Sequence, residues 1–296
     1  MKKILNPCFL AGIIAVFSLT ACRDDKMEET TPDQVQTANA KPEQPNPSEK
    51  SCSYVDSNWS WSAVLINTLP TTTDTNFMNS QMVNIAKMWG KSTPTLLFVN
   101  DPVSPGSTYN AASYKTGYRI YYGYAIYNDA KAKGGDIVNA MILAHEYGHQ
   151  LQYAYNLPTV KENTGRSIDL EADGFAGYYL RRPNGYNKTD FSQIAAAYEF
   201  AQSIGDYQTT NPGHHGTPAQ RRSAVRLGFL IGQYDVTAKD FDTTFFAYYN
   251  GVLDGSLKMV DNTIRPEIKA YLDQYVDELK KIQSGEISAE EFKNLK

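Results

Sequence analysis

The sequence predicts a mostly helical α+β fold with a small β-sheet. Helix is indicated by long segments whose apolar residues recur at helical spacing, and Asp136–Gln152 is the most apolar of them. Strand character is strongest in two short runs rich in β-branched and aromatic residues, Thr95–Val99 and Tyr118–Tyr127. The 296 residues are enough for one sizeable core or two small ones.

The N-terminal segment has the features of a lipoprotein signal peptide. Lys2-Lys3 form a basic start, Ile4–Leu19 is apolar, and Leu19-Thr20-Ala21-Cys22 resembles a bacterial lipobox. A transmembrane anchor is the alternative, but the apolar stretch is short and the residues before Cys22 are small. We therefore predict a signal peptide over residues 1–21 and a lipid on Cys22.

Residues 22–52 are predicted to form the lipidated Cys22 and a disordered tether, because they are polar and almost free of large apolar side chains. This arrangement predicts a protein of the bacterial cell envelope, lipid-anchored in the outer membrane. The cluster Arg23–Lys26 resembles surface-export signals of some bacterial lipoproteins, so exposure on the cell surface is a further expectation.

The net charge argues against a nucleic-acid-binding protein, and the cysteine content argues against an internal disulfide. Loss of Lys2 and Lys3 with the signal leaves 26 basic against 32 acidic residues, a net charge of −6, so no nucleic-acid partner is expected. After Cys8 is removed and Cys22 is acylated, Cys52 is the remaining thiol, which excludes an internal disulfide.

The remaining elements follow from spacing and from turn signals. Phe77–Trp89 is predicted to be a helix that stops at Gly90, and Asn100–Pro102 is predicted to be the turn that closes the first strand. Further predicted helices are Ile168–Arg182 with Ser167 as its cap, Phe191–Gln202, Ala219–Gln233, and two or three within residues 237–296.

The strongest chemical signal is His145-Glu146-Tyr147-Gly148-His149, within the helix that Asp136 is expected to cap. Residues four apart on a helix lie on one face, so both imidazoles can reach one metal ion. Glu146 lies beside that face, where it can take a proton from metal-activated water. The pattern predicts a Zn²⁺-dependent hydrolase, most simply a peptidase.

A catalytic zinc usually has three protein ligands, and the next helix offers two candidates. Asp169 and Asp173 are four residues apart, so Asp169 can bind the metal while Asp173 accepts the second ring N–H of a ligand histidine. Glu171 is the alternative third ligand. Both Asp169 and Glu171 would also be favoured near a helix start by the helix dipole alone.

The strand-like run Tyr118–Tyr127 precedes the metal-binding helix. In zinc peptidases of this general build, that strand is a sheet edge onto which a peptide substrate adds as an extra strand. Its tyrosines are then expected to line the substrate groove. The alternative is that they simply pack on the sheet.

Three blocks together resemble the neutral zinc metallopeptidase family of bacteria. They are residues 145–152, residues 169–177 and the later block His215-Gly-Thr-Pro-Ala-Gln-Arg221, and the resemblance covers roughly residues 118–230. It implies a gluzincin-like, zincin-like metallopeptidase fold with a small edge-exposed sheet. The middle block of the family usually begins with Glu, where this chain has Asp169.

The resemblance also implies a role for His215, either stabilising an oxyanion or holding a carboxylate beside the metal. The alternative is a loop histidine at the start of a helix for which Thr217 is the better cap. His214 is a weaker candidate. The implied organisation is a zinc metallopeptidase domain over residues 53–236 and a C-terminal helical extension, residues 237–296, packed on the same domain.

The predicted function is therefore that of a lipid-anchored zinc peptidase with a peptide or protein substrate. Its metal ligands are His145, His149 and Asp169, its general base is Glu146, and His215 assists. The alternative function is a non-catalytic, metal-containing surface lipoprotein that binds peptide or glycan. An intact Glu146 argues against that alternative, because a purely structural zinc site does not need a base.

Overall fold

The computed structural model describes residues 40–42, 51–55, 59–256 and 263–295. The predicted signal peptide (residues 1–21), the lipidation site Cys22 and most of the tether lie outside the described residues. The described chain is mostly helical with a small mixed sheet, which confirms the α+β class.

The sheet has five strands in the order β1-β4-β5-β3-β2. Only β3 and β5 run parallel to each other, and the other neighbours are antiparallel. The strands are β1 (Ser51–Ser53), β2 (Val64–Ile66), β3 (Thr95–Asn100), β4 (Ala111–Tyr114) and β5 (Arg119–Gly123).

The helices before the C-terminal part are α1 (Thr72–Met88), α2 (Tyr124–Gly134), α3 (Asp136–Tyr155), α4 (Arg166–Arg181), α5 (Ala195–Ser203) and α6 (Pro218–Ile231). Those that follow are α7 (Ala238–Ala247), α8 (Tyr249–Asp254), α9 (Pro266–Leu272), α10 (Val276–Ser284) and α11 (Ala289–Lys293). The C-terminal part thus has five short helices in its described residues, where the sequence predicts two or three.

The sheet separates two groups of buried side chains, as its two-residue period requires. On one face, Leu97 and Tyr121 pack with Trp59 in a small cluster. On the other face, Phe98 and Tyr122 join the large core that the helices share. The helices therefore pack on one side of the sheet, and α3 lies in the middle of that core.

The predicted strand Tyr118–Tyr127 is half wrong, because the chain leaves the sheet at Gly123 and begins α2 at Tyr124. A Cβ atom at Gly123 would overlap the carbonyl of Thr108, so the strand ends where another segment crosses it. The Thr108 hydroxyl then accepts from the N–H of Ala125 at 2.9 Å and satisfies the first turn of α2.

The prediction that this strand is a sheet edge is also wrong. β5 is the third of five strands and is paired on both sides, so no peptide can add to it. Tyr121 and Tyr122 are fully buried, which confirms the packing alternative over the groove for these two side chains. In the described part of the chain, the edges of the sheet are β1 and β2.

The structure corrects two of the three predicted helix caps. Gly135 is the N-cap of α3 with φ of 74°, and Asp136 is already its first helical residue. Gly165 is the N-cap of α4, while Ser167 is buried inside the helix. Thr217 does cap α6, because its side chain accepts from the N–H of Gln220 in a capping box.

The boundaries of the folded part also shift. Ser51 and Cys52, assigned to the tether, form β1 with Ser53, because their backbone pairs with β4. At the other end, Phe292 of α11 packs edge-to-face on Phe191 and Tyr198, so the C-terminal helices share the main core. No helix in the described ranges is both long enough and apolar enough to cross a membrane.

Helices α4 and α6 pack so closely that glycine is required where they meet. A Cβ atom at Gly177 would overlap the carbonyl of Val225, and one at Gly228 would overlap the carbonyl of Gly174. This close approach places the first turns of α6, including Arg221, against the acidic block of α4.

Candidate metal centre

The histidine pair lies on α3, in the most buried part of the molecule. His145, Glu146 and His149 are all fully buried. The Nε2 atoms of His145 and His149 are 3.1 Å apart, as expected for two imidazoles one helical turn apart that point to the same place. The helix thus delivers both nitrogens to one point, as predicted.

Helix α4 crosses α3 at Gly148 and brings a carboxylate to the histidines. A Cβ atom at Gly148 would lie 3.2 Å from the Cα of Ala172, which is tighter than ordinary packing. The Oδ1 atom of Asp169 is 3.6 Å from Nε2 of His145 and 3.8 Å from Nε2 of His149. Among the described residues, these three side chains form the group whose donor atoms could hold a metal ion.

The size of this triangle fits a metal ion of the size of zinc. Its edges are 3.1, 3.6 and 3.8 Å. One point in its plane lies about 2.0 Å from all three atoms, and zinc binds imidazole nitrogen and carboxylate oxygen at about 2.0 to 2.2 Å. Oδ1 of Asp169 is buried with no hydrogen-bond partner, so this oxygen needs a cation or a proton.

The tautomer of His145 is fixed by Asp173, as the spacing on α4 predicts. Nδ1 of His145 lies 2.9 Å from Oδ1 of Asp173. Arg221 donates to both oxygens of this carboxylate at 2.7 and 2.8 Å, and both partners are fully buried. Burial opposes ionisation of Asp173, but Arg221 and His145 outweigh it and lower its pKa. The ionised carboxylate accepts the Nδ1 proton, which leaves the Nε2 lone pair for a metal.

The tautomer of His149 is fixed by Gln152, which the sequence analysis overlooked. Nδ1 of His149 lies 2.7 Å from Oε1 of Gln152. The amide group of Gln152 donates to the carbonyl of Ile168 and to Oε2 of Glu171, both at 2.8 Å, so its oxygen faces the histidine. His149 therefore donates from Nδ1 and has its Nε2 lone pair towards His145. Gln152 is three residues after His149 on the same helix, and this spacing places the two side chains next to each other, so the contact could have been predicted from the sequence.

Glu171, the alternative third ligand, is not part of the cluster. It accepts from Gln152 and lies beside Asp242, whose carboxylate accepts from the N–H and hydroxyl of Thr159 at 2.8 and 2.7 Å. Burial first, and then the negative charge of Asp242, raises the pKa of Glu171 well above its usual value. The structure thus brings Asp169 to the histidines, whereas Glu171 lies behind them and accepts a hydrogen bond from Gln152.

His215 reaches the cluster through Asp169. Its Nδ1 atom lies 2.8 Å from Oδ2 of Asp169, the oxygen that points away from the triangle. Burial by itself would raise the pKa of Asp169, but His215 and His145 hold it well below its usual range. This contact supports the second predicted role of His215, holding a carboxylate.

His214 takes no part in the cluster. Its Nδ1 atom lies 2.7 Å from Oδ1 of Asp206, and the other oxygen of Asp206 accepts from the N–H of His215 at 3.2 Å. The 211–216 loop is also tied to the start of α4, because Gly165 donates to the carbonyl of Pro212 at 2.9 Å. Asp206, which the sequence analysis did not identify, therefore anchors the loop that carries His215.

The arrangement combines two imidazole nitrogens and one carboxylate oxygen with a glutamate on the same helix. Three protein ligands are the number that catalytic zinc sites use, since the fourth position is kept for water or substrate. Glu146 adjoins the first ligand, and its carboxylate is fully buried within α3. A metal ion in this triangle would therefore have a buried carboxylate on the residue next to one of its ligands.

Comparison with known proteins shows a partial likeness to two bacterial relatives. The chain is 28% identical to the "Uncharacterized protein YpfJ" of Escherichia coli strain K12 and to that of Escherichia coli O6:H1, in each case over 137 residues. The alignment covers 38% of this chain and 48% of the relative, so the chain spans about half the length of the curated relatives it matches. No known family profile matches the chain, and no solved structure matches it.

Proposed function

We propose that the protein is a zinc-dependent peptidase. The observation that carries this proposal is the buried triangle of His145, His149 and Asp169 with Glu146 on the same helix. The triangle is small enough for zinc, both histidines use Nδ1 for a hydrogen bond and point Nε2 into the triangle, and a structural site would have no use for the glutamate. The resemblance of the three sequence blocks to the neutral zinc metallopeptidase family points the same way.

Each side chain has a role in this proposal. A zinc ion held in the triangle would act as a Lewis acid, which polarises the scissile carbonyl and makes water more acidic. Glu146 takes the proton of the attacking water and passes it to the leaving amine. Asp173 and Gln152 hold the two histidines in the metal-binding tautomer. His215 holds Asp169 through its outer oxygen.

The direct test is Glu146→Gln in the zinc-loaded protein. The amide removes the base but keeps the shape, so we expect bound zinc to remain stoichiometric while peptide cleavage falls by about 10²-fold or more. Glu162→Gln is the matched control, because Glu162 pairs with Arg166 outside the cluster. Cleavage at the wild-type rate by Glu146→Gln would rule out the mechanism.

Cleavage assays also distinguish the peptidase from the alternative function. A non-catalytic surface lipoprotein that binds peptide or glycan would retain zinc and cleave no member of a broad peptide library. Cleavage that is abolished by a chelator and restored by zinc would exclude it. The same library would define the preferred residues around the scissile bond.

We further propose that the enzyme works in the bacterial cell envelope, held at the outer membrane by a lipid on Cys22. The support is the sequence Leu19-Thr20-Ala21-Cys22 after a short apolar stretch, followed by a polar segment that resembles a tether. A tethered peptidase would act on peptides or proteins close to that membrane.

A further inference from the structure

The metal centre is closed to solvent. His145, Glu146 and His149 have no exposed surface, and Asp169 is only 3% exposed. A peptide bond cannot reach the triangle in this arrangement, whereas a peptidase must admit an extended chain to its metal. Some part of the protein must therefore act as a cover that moves aside.

Part of this cover is the short segment of residues 51–55. The ring of Tyr54 packs edge-to-face on the ring of His145, with 4.8 Å between their centroids, and Tyr54 is only 1% exposed. The guanidinium carbon of Arg221 lies 5.0 Å from the centre of the same ring. Tyr54 thus contacts both a metal ligand and the arginine that holds Asp173.

The segment binds as an extended peptide would. Ser51–Ser53 pair antiparallel with β4, and the next two N–H groups donate to the carbonyl of Ala111 at 2.8 Å and to Oδ1 of Asn110 at 2.9 Å. Main-chain bonds to a sheet edge are available to any extended chain, while pockets for side chains supply the preference. The other edge of β4 is occupied by β5, so β1 holds the side on which a strand can be exchanged.

The strand of this segment is held by one neighbouring strand, β4. β1 has three residues and lies at the edge of the sheet, where strands open at lower free energy than elements of the core do. Tyr54 anchors the segment in the main core that α3 and α4 share. Release of the segment therefore removes the Tyr54 ring from this core, while the close contact between α3 and α4 at Gly148 stays in place.

We propose that residues 51–55 form an intramolecular strap that occupies the position of an extended peptide on β4 and keeps the metal centre closed. When the strap leaves, an extended peptide with an aromatic side chain at the position of Tyr54 takes its place. The proposal rests on the proposed peptidase function for its second part, whereas closure of the metal centre by the strap is independent of catalysis.

The first test compares full-length, zinc-loaded wild type with Tyr54→Ala. Loss of the ring weakens the hold of the strap, so transfer of zinc to a chromophoric chelator should be at least about tenfold faster. Tyr198→Ala is the matched control, because it removes an equally buried tyrosine that packs on Phe191 and Phe292 instead. It should leave the transfer rate near that of wild type.

A reversible lock tests the same idea without loosening the fold. Ser53 and Ala112 are direct partners in the β1–β4 register, so the pair Ser53→Cys and Ala112→Cys, in a Cys52→Ser background, can form a cross-strand disulfide. The oxidised protein should lose zinc slowly and cleave no peptide, while the reduced protein behaves like wild type.

The outcomes separate the two proposals. Equal zinc transfer in wild type and Tyr54→Ala, or equally fast transfer in Tyr198→Ala and Tyr54→Ala, would overturn the strap, as would cleavage that is unaffected by the disulfide. If zinc transfer responds to Tyr54→Ala and to the disulfide, but no form cleaves any peptide, the strap stands and the peptidase function fails.

Discussion

The amide of Gln152 decides which nitrogen of His149 faces the metal position. Gln152→Leu would remove the acceptor for Nδ1–H and let the ring adopt the other tautomer or rotate. We expect the affinity for zinc to fall by about 10- to 100-fold, as is typical when the partner of a ligand histidine is lost. Competition with a chromophoric chelator at fixed pH measures this change.

Gln150 provides the control for that experiment. It is also buried on α3, but its amide donates to the Ser113 hydroxyl and to the carbonyl of Tyr114, at 2.6 and 3.0 Å, on the sheet side. Gln150→Leu should therefore lower stability and leave the zinc affinity within a factor of about two to three. An equal loss of zinc affinity in both variants would show that general loosening, not the tautomer of His149, is responsible.

Asp169 and Glu171, the two candidate ligands on α4, should differ in their effect on bound zinc. Asp169→Asn replaces the charged oxygen of the triangle with a neutral amide, so we expect zinc content to fall well below one per chain after dialysis. Glu171→Gln should retain zinc, because the carboxylate of Glu171 contacts Gln152 and is not one of the three donor groups of the triangle. Zinc loss in the Glu171 variant alone would reverse the assignment of the third ligand.

At the scale of elements, the turn after β3 is held by the carboxylate of Asp101. This group accepts from the N–H groups of Val103 and Ser104 and from the hydroxyls of Ser62 and Ser107, all within 2.8 to 3.0 Å. Burial alone would raise its pKa, but these hydrogen bonds outweigh it and lower the pKa of Asp101 to about 2.

This shift predicts a pH dependence of stability. The pKa of an aspartate in the unfolded chain is about 3.9, so the stabilisation by Asp101 is complete above that value and is lost as the pH falls towards about 2. Asp101→Asn should therefore lower the free energy of unfolding at pH 7, and the difference from wild type should shrink at pH 3. Urea denaturation of both proteins at both pH values checks this. A difference that stays constant with pH would contradict the role of the charge.

Elements whose signal is local could be predicted from sequence. The apolar period of α3 and the i, i+4 spacings fix which side chains share a face, so His145, His149, Asp169 and Asp173 were identified before any contact was known. The cap Thr217 was found for the same reason, since a capping box is complete within four residues.

Elements set by distant segments could not be predicted in this way. The change from strand to helix at Gly123 depends on Thr108, and the true caps of α3 and α4 are glycines in turns between elements. β1 was missed because a three-residue strand has almost no pattern of its own and exists through its pairing with β4.

At the scale of the whole molecule, the closed centre and the predicted anchor meet in the N-terminal part of the chain. The strap, residues 51–55, includes the last two residues of the predicted tether, residues 22–52. If the strap controls access to the metal, a cut or a pull on the tether would act on the strap first.

Cys22→Ser in the full-length protein should abolish the anchor. Acyl chains contribute about 0.8 kcal/mol per buried methylene, and stable anchoring needs more than one chain, so without lipidation the protein should leave the membrane fraction. We expect loss of palmitate labelling and of partition into a detergent phase. Cys52→Ser is the matched control, since it removes the cysteine of β1 and leaves the lipobox intact.

Because the triangle of donor atoms contains no part of the tether, the Cys22 variant should bind zinc as wild type does. Membrane association that persists without labelling would mean that the N-terminal segment is a different kind of membrane anchor, and undiminished labelling would mean that the lipid is on another residue.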